Sequence, residues 1–90
     1  MMTISGNPKK LAQSVADGFL RLSPPLLKGH SAADLKVILN NLELEKRDIR
    51  QVQIPLDDVL ALKSKNTRLI RLGQAEMILR SYCKKMRIPL

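Results

Sequence analysis

Apolar positions recur at helical spacing in four stretches of the chain, separated by prolines and polar clusters. In the first, Leu11, Val15, Phe19 and Leu22 return at steps of three and four, with Ala12 and Ala16 beside them. Asn7 suits an N-cap and Pro8 the first helical position, so a helix is predicted from Pro8 to just ahead of Ser23. Pro24 disfavours a helical Ser23 and ends it. Gly18 lies inside and weakens this helix by about 1 kcal/mol relative to Ala. The segment 23–30, "SPPLLKGH", reads as a loop whose Leu26 and Leu27 cap the core from one end. The functional alternative for that pair is a docking knob.

"SAAD", Ser31 to Asp34, has the form of a capping box and opens the second helix. Leu35, Ile38, Leu42, Ile49 and Val52 form a seam of near-heptad spacing, interrupted at Glu45. The pattern predicts a long helix that stops by Ile54, ahead of Pro55, with "RQVQI" as a possible short extended stretch. A third helix is predicted from Pro55, with Asp57 and Asp58 at its positive end and Val59, Leu60 and Leu62 facing inward. The polar "KSKNT" holds two acceptable caps, Asn66 and Thr67, and predicts a break. In the fourth helix Leu69, Leu72, Ala75, Leu79, Tyr82, Cys83 and Met86 line one face, and Arg80, Lys84 and Arg87 run along another, until Pro89. The expected fold is therefore an all-α single domain over residues 1–90. It is a small bundle of four helices with a flexible N-terminus at 1–6, a long second helix and a helix-turn-helix-like C-terminal pair.

Composition narrows the core. Of the 90 residues 44% are hydrophobic, with one Phe, one Tyr and no Trp, so the interior is aliphatic. Leu39, Leu44, Ile70, Met77 and Ile78 fall outside the main seams, and this surplus predicts a homodimer or another partner interface.

Charge is distributed unevenly. The net charge is +8, yet residues 1–45 carry five basic groups against four acidic, whereas from Lys63 onward the count is eight against one. Such asymmetry points to partners: nucleic acid, an acidic protein or an anionic membrane. The leading expectation is a regulatory nucleic-acid-binding protein, with DNA favoured over RNA. Arg68 and Arg71 would sit at the start of the recognition helix, Lys63, Lys65, Asn66 and Thr67 on phosphates, and Arg80, Lys84 and Arg87 along the flank. The scarcity of aromatics counts against base-stacking readers of single strands. The alternative is a small helical adaptor or assembly subunit whose surplus apolar surface and basic flank bind an acidic protein. Membrane attachment ranks last, because interfacial helices usually bring Trp or Phe. The plain reading of the basic count is a solvated face.

Candidate chemistry is sparse. His30, the one histidine, reads as a solvent-exposed loop residue, and the adjacent Asp57 and Asp58 as complements to a helix dipole. The four glycines are scattered, so no phosphate loop forms. Cys83 lies on the apolar stripe; only if exposed beside Arg80, Lys84 and Arg87 would it become a redox-sensing thiol. No catalytic residue, metal ligand or cofactor is expected. A lone cysteine and the lack of an apolar run near the start suggest a reducing, cytoplasmic setting with no secretory signal. A mitochondrial presequence fits poorly, given Asp17 and the core role of the first helix.

Overall fold

The computed structural model describes residues 7–89 and is all-helical over them, with no strand. The expected flexible segment 1–6 lies outside the described residues. Four helices follow in order: α1 (Pro8–Asp17), α2 (Pro24–Leu27), α3 (Ala32–Gln51) and α4 (Val59–Lys85). At the standard rise α3 is about 30 Å long and α4 about 40 Å. These two form an antiparallel hairpin, across which Glu43 faces Arg80, Lys46 faces Glu76 and Arg50 faces Lys65. The molecule is correspondingly elongated, 45 × 26 × 17 Å. α1 packs against both arms of the hairpin, and α2 closes against α4.

The first helix is shorter than its apolar pattern predicts. Gly18 adopts φ 83°, a left-handed conformation that costs a glycine nothing. Its N–H donates to Val15 O and that of Phe19 to Ser14 O, which closes a Schellman motif and turns the chain out of the helix. Phe19 is consequently 85% exposed rather than part of the stripe, while Leu22 returns to the core from beyond the turn. The Pro-rich loop winds into the single turn α2, whose Leu27 is fully buried and whose Leu26 packs against the core. That pair closes the core from one end, and the docking-knob alternative loses its exposed leucine.

The start of α3 matches the pattern: Ser31 Oγ accepts from Asp34 N–H at 3.1 Å. Leu35, Ile38, Leu42 and Ile49 are buried along the predicted seam, but the helix ends at Gln51 and leaves Val52 extended and 53% exposed. Leu39 is only 6% exposed, so the chain itself buries a residue read as partner surface.

The largest departure is in the C-terminal half. Residues 59–85 form one uninterrupted helix, so the helix-turn-helix-like pair is absent. "KSKNT" contains neither glycine nor proline, and a capping residue caps only where the chain leaves the helix. Here Thr67 Oγ1 donates back to Lys63 O at 2.9 Å and so is satisfied inside the helix. The true N-cap is Asp58, whose Oδ1 accepts from Ala61 N–H at 3.1 Å; Pro55 belongs to the preceding turn. Starting later than expected, α4 carries Val59 and Leu60 outward, at 67% and 81% exposure. At its far end Arg87 lies beyond the helix with φ 57°, and so leaves the predicted line of Arg80 and Lys84.

The core is lopsided. Leu11, Ala12, Val15 and Ala16 of α1 meet the α3 seam and Leu72, Ala75, Leu79 and Cys83 of α4. None of the first thirteen residues of α4, 59–71, is buried. Beyond the reach of α1, therefore, the hairpin is a bare two-helix arm. A pair of helices cannot enclose an apolar stripe as a third would, which leaves Val52, Leu56, Val59 and Leu60 in solvent at its tip.

Candidate partner-binding surface

Five of the nine residues expected to contact nucleic acid are engaged within the chain. Lys65 Nζ donates to Arg50 O and Val52 O, at 3.2 and 2.9 Å, and so ties off the carboxyl end of α3. Arg71 Nη1 donates to Ala16 O at 3.1 Å and does the same for α1. A cation at a helix carboxyl terminus also meets the negative end of the dipole. Arg68 pairs with Asp17 at 3.1 Å, and Arg80 lies 3.6 Å from Glu43 in an exposed pair. Thr67 bonds within α4. The arginines near the middle of α4 thus have local reasons to be there: they hold α1 and α3 to it.

Lys63, Asn66, Lys84 and Arg87 remain exposed, and none of the three cations forms an ion pair with a described residue. Lys63 and Asn66 share a line with Val59, Ile70, Gly73, Met77, Ser81 and Lys84, at steps of four and three along α4. At 3.6 residues per turn this line runs opposite Leu72, Ala75, Leu79 and Cys83. Three apolar side chains on it are strongly exposed: Val59 at 67%, Ile70 at 60% and Met77 at 68%. α4 is therefore apolar on two opposite sides, one in the core and one in water. Ile78 packs against the core, and Leu44 is 39% exposed on the back of α3. Of the five apolar residues read as surplus, Ile70 and Met77 lie together on this outer line, while Leu44 stands apart.

The surface of the described residues includes a cleft and a shallower depression. A cleft of about 240 Å³ between the end of α1 and α4 has Val15, Leu22 and Ala75 as its floor and Arg21, Arg71 and Gln74 at its rim. An open depression of about 670 Å³ lies along α3 beside Lys36, Val37 and Glu43. The lining of neither includes a nucleophile beside a base. No group of three or more His, Cys, Asp or Glu residues that could hold a metal ion occurs among the described residues.

His30 is not the exposed loop residue that sequence suggests. Its side chain is 15% exposed, with Nδ1 3.9 Å from Asp34. Cys83 is 1% exposed, and burial pushes its thiol above the ordinary value. The exposure that a redox-sensing thiol would need is missing. No described helix is long and apolar enough to cross a membrane. Sequence reasoning named Ile70 and Met77 but missed the line that joins them to Val59 and Lys63, because it split α4 at "KSKNT". The alternation of four and three from Val59 to Lys84 was the available signal.

No family model, curated protein or solved structure matches the chain. The fold alone defines the class: an all-α protein built on a long helical hairpin whose longest helix has an apolar outer face.

Proposed function

We propose that the protein is a non-enzymatic interaction module that binds another protein through the outer face of α4. The observation that carries this reading is the exposure of Ile70 and Met77, two turns apart on a helix whose opposite side is already the core. Apolar side chains aligned on one face and rimmed by charge are a common mark of a protein-binding surface. Lys63 and Lys84 on the same line, with no acidic residue among them, favour an acidic partner and speed encounter with one.

This reading ranks above nucleic-acid binding for a physical reason. A phosphate backbone offers nothing to seat against Ile70 and Met77, and Lys65, Arg68 and Arg71 are engaged with other parts of the chain. Affinity purification of the full chain from nuclease-treated lysate tests the choice. A stoichiometric protein should survive nuclease and be lost from the Ile70→Asp/Met77→Asp double variant. A bound species that disappears with nuclease treatment, and is indifferent to the double variant, overturns the reading and restores the polyanion.

A further inference from the structure

Gly73 lies in the middle of the 27-residue α4, where glycine weakens a helix and where the fold does not ask for one. Its φ is not positive, since Gly18 is the one described glycine in that region. A Cβ built on it meets nothing within 4 Å. A Cβ therefore fits the isolated molecule without contact. The remaining physical use of a glycine here is to let another backbone come close.

The surroundings of Gly73 indicate what comes close. Ile70 and Met77 stand on either side of it at three and four residues, the positions that form ridges about a groove on a helix surface. Farther out, Lys63 and Lys84 lie ten and eleven residues from it, together spanning about 31 Å of helix. Between Lys63 and Lys84 the line is thus cationic at both limits, polar at Asn66 and Ser81, apolar at Ile70 and Met77 and open at Gly73.

A second copy of the chain is a poor occupant. In a parallel crossing at Gly73, Lys63 meets Lys63 and Lys84 meets Lys84. In an antiparallel one, Lys63 meets Lys84, because the two are nearly equidistant from the pivot. Both orientations place like charges opposite one another, on chains that each carry +8.

We infer that the outer face of α4 takes one amphipathic helix of an acidic protein, crossing at Gly73 between Ile70 and Met77, with carboxylates reaching Lys63 and Lys84. This rests on the interaction-module reading above and adds the shape and charge of the occupant.

The probe is a fluorescein-labelled helical peptide with Ala at its centre, Leu at three and four residues to either side, and Glu pairs ten residues out. Binding to the full chain is read by fluorescence anisotropy. Binding of this peptide should weaken about tenfold or more when its Glu pairs become Lys, and by a similar factor with Gly73→Leu. Circular dichroism of Gly73→Leu should show undiminished helix, because the new side chain enters open space. The inference is overturned if the Glu peptide does not bind. It is overturned equally if Gly73→Leu or the Lys peptide binds as well, or if a proline-interrupted peptide of the same composition competes equally. Sedimentation showing a dimer that Gly73→Leu dissociates would assign the face to a second copy, and displacement of the peptide by duplex DNA would assign it to a polyanion. Loss of binding in Ile70→Asp/Met77→Asp but not in Gly73→Leu removes the helix crossing and leaves the interaction module. Binding unchanged by both variants removes the two together.

Discussion

Lys46 Nζ lies 2.8 Å from Glu76 Oε2, joining the C-terminal half of α3 to α4 through the one acidic residue of α4. The side chains are 22% and 12% exposed, and Glu76 Oε1 has no hydrogen-bond partner among the described residues. Both charges are partly desolvated and the pair is incompletely satisfied. Removing one partner therefore costs more than the pair contributes. Glu76→Leu alone should destabilise by about 1–3 kcal/mol, since it leaves a half-buried ammonium without a counterion. The double variant Lys46→Met/Glu76→Leu should recover most of that, ending within about 1 kcal/mol of wild type or above it. Urea unfolding of the two single variants and the double completes the cycle. Equal, additive losses would mean that the pair is not coupled.

Arg87 holds φ 57° as the left-handed residue of a Schellman motif: its N–H donates to Lys84 O, and that of Ile88 donates to Cys83 O at 2.7 Å. A non-glycine residue there is strained by about 1 kcal/mol. Arg87→Gly should raise stability by about 0.5–1 kcal/mol, the strain relief being offset in part by a more flexible unfolded chain. Arg87→Val should lower it, because branching at Cβ fits that region worst. The midpoints of urea unfolding would rank the three proteins Gly, Arg, Val.

Cys83 predicts a pH dependence. Burial pushes its thiol up, so above the ordinary cysteine value of about 8.5 the unfolded chain loses a proton that the folded one keeps. The folded state then binds more protons, and stability must fall as pH rises through that value. Cys83→Ala should lack this alkaline slope while losing stability throughout from the cavity. Iodoacetamide should label native Cys83 only as fast as the helix opens and should label the unfolded chain readily. Rapid labelling of the folded protein would refute the burial.

The parts of the fold legible from sequence were those decided by local chemistry. Asn7, Ser31 and the α3 seam from Leu35 to Ile49 sit where their types and spacings placed them. The misreadings share a cause: residues that can end or cap a helix were weighed without knowing what the third dimension offers them. Gly18 was read as tolerated inside α1, but Arg71 reaches across from α4 to cap the end it makes. Asn66 and Thr67 were read as caps, but the surrounding lysines suit a helix and Lys65 has α3 carbonyls to hold. The candidate site suffered from the same blindness. Charge counting found the basic residues of α4 but not the backbone carbonyls they hold, which lie 13 to 55 residues away in sequence, from Val52 to Ala16.

Gly18 and Gly73 allow the outer-face reading to be separated from fold stability with matched substitutions. At Gly18 an alanine must adopt φ 83°, and its Cβ would come within 2.9 Å of Arg71 Cζ. The guanidinium must move, and its bond to Ala16 O weakens, so Gly18→Ala should destabilise by about 1–2 kcal/mol. At Gly73 the helix is regular and the space beyond is open, so Gly73→Ala should stabilise the isolated protein by about 0.5–1 kcal/mol through helix propensity and a less flexible unfolded chain. The two variants also differ in binding. Gly18→Ala should bind the acidic helical peptide normally wherever it is folded, whereas Gly73→Ala should bind it more weakly despite its greater stability. Thermal unfolding and anisotropy on the same samples make the comparison. A Gly73→Ala protein that is both more stable and an equally good binder would leave its glycine without a role in partner recognition.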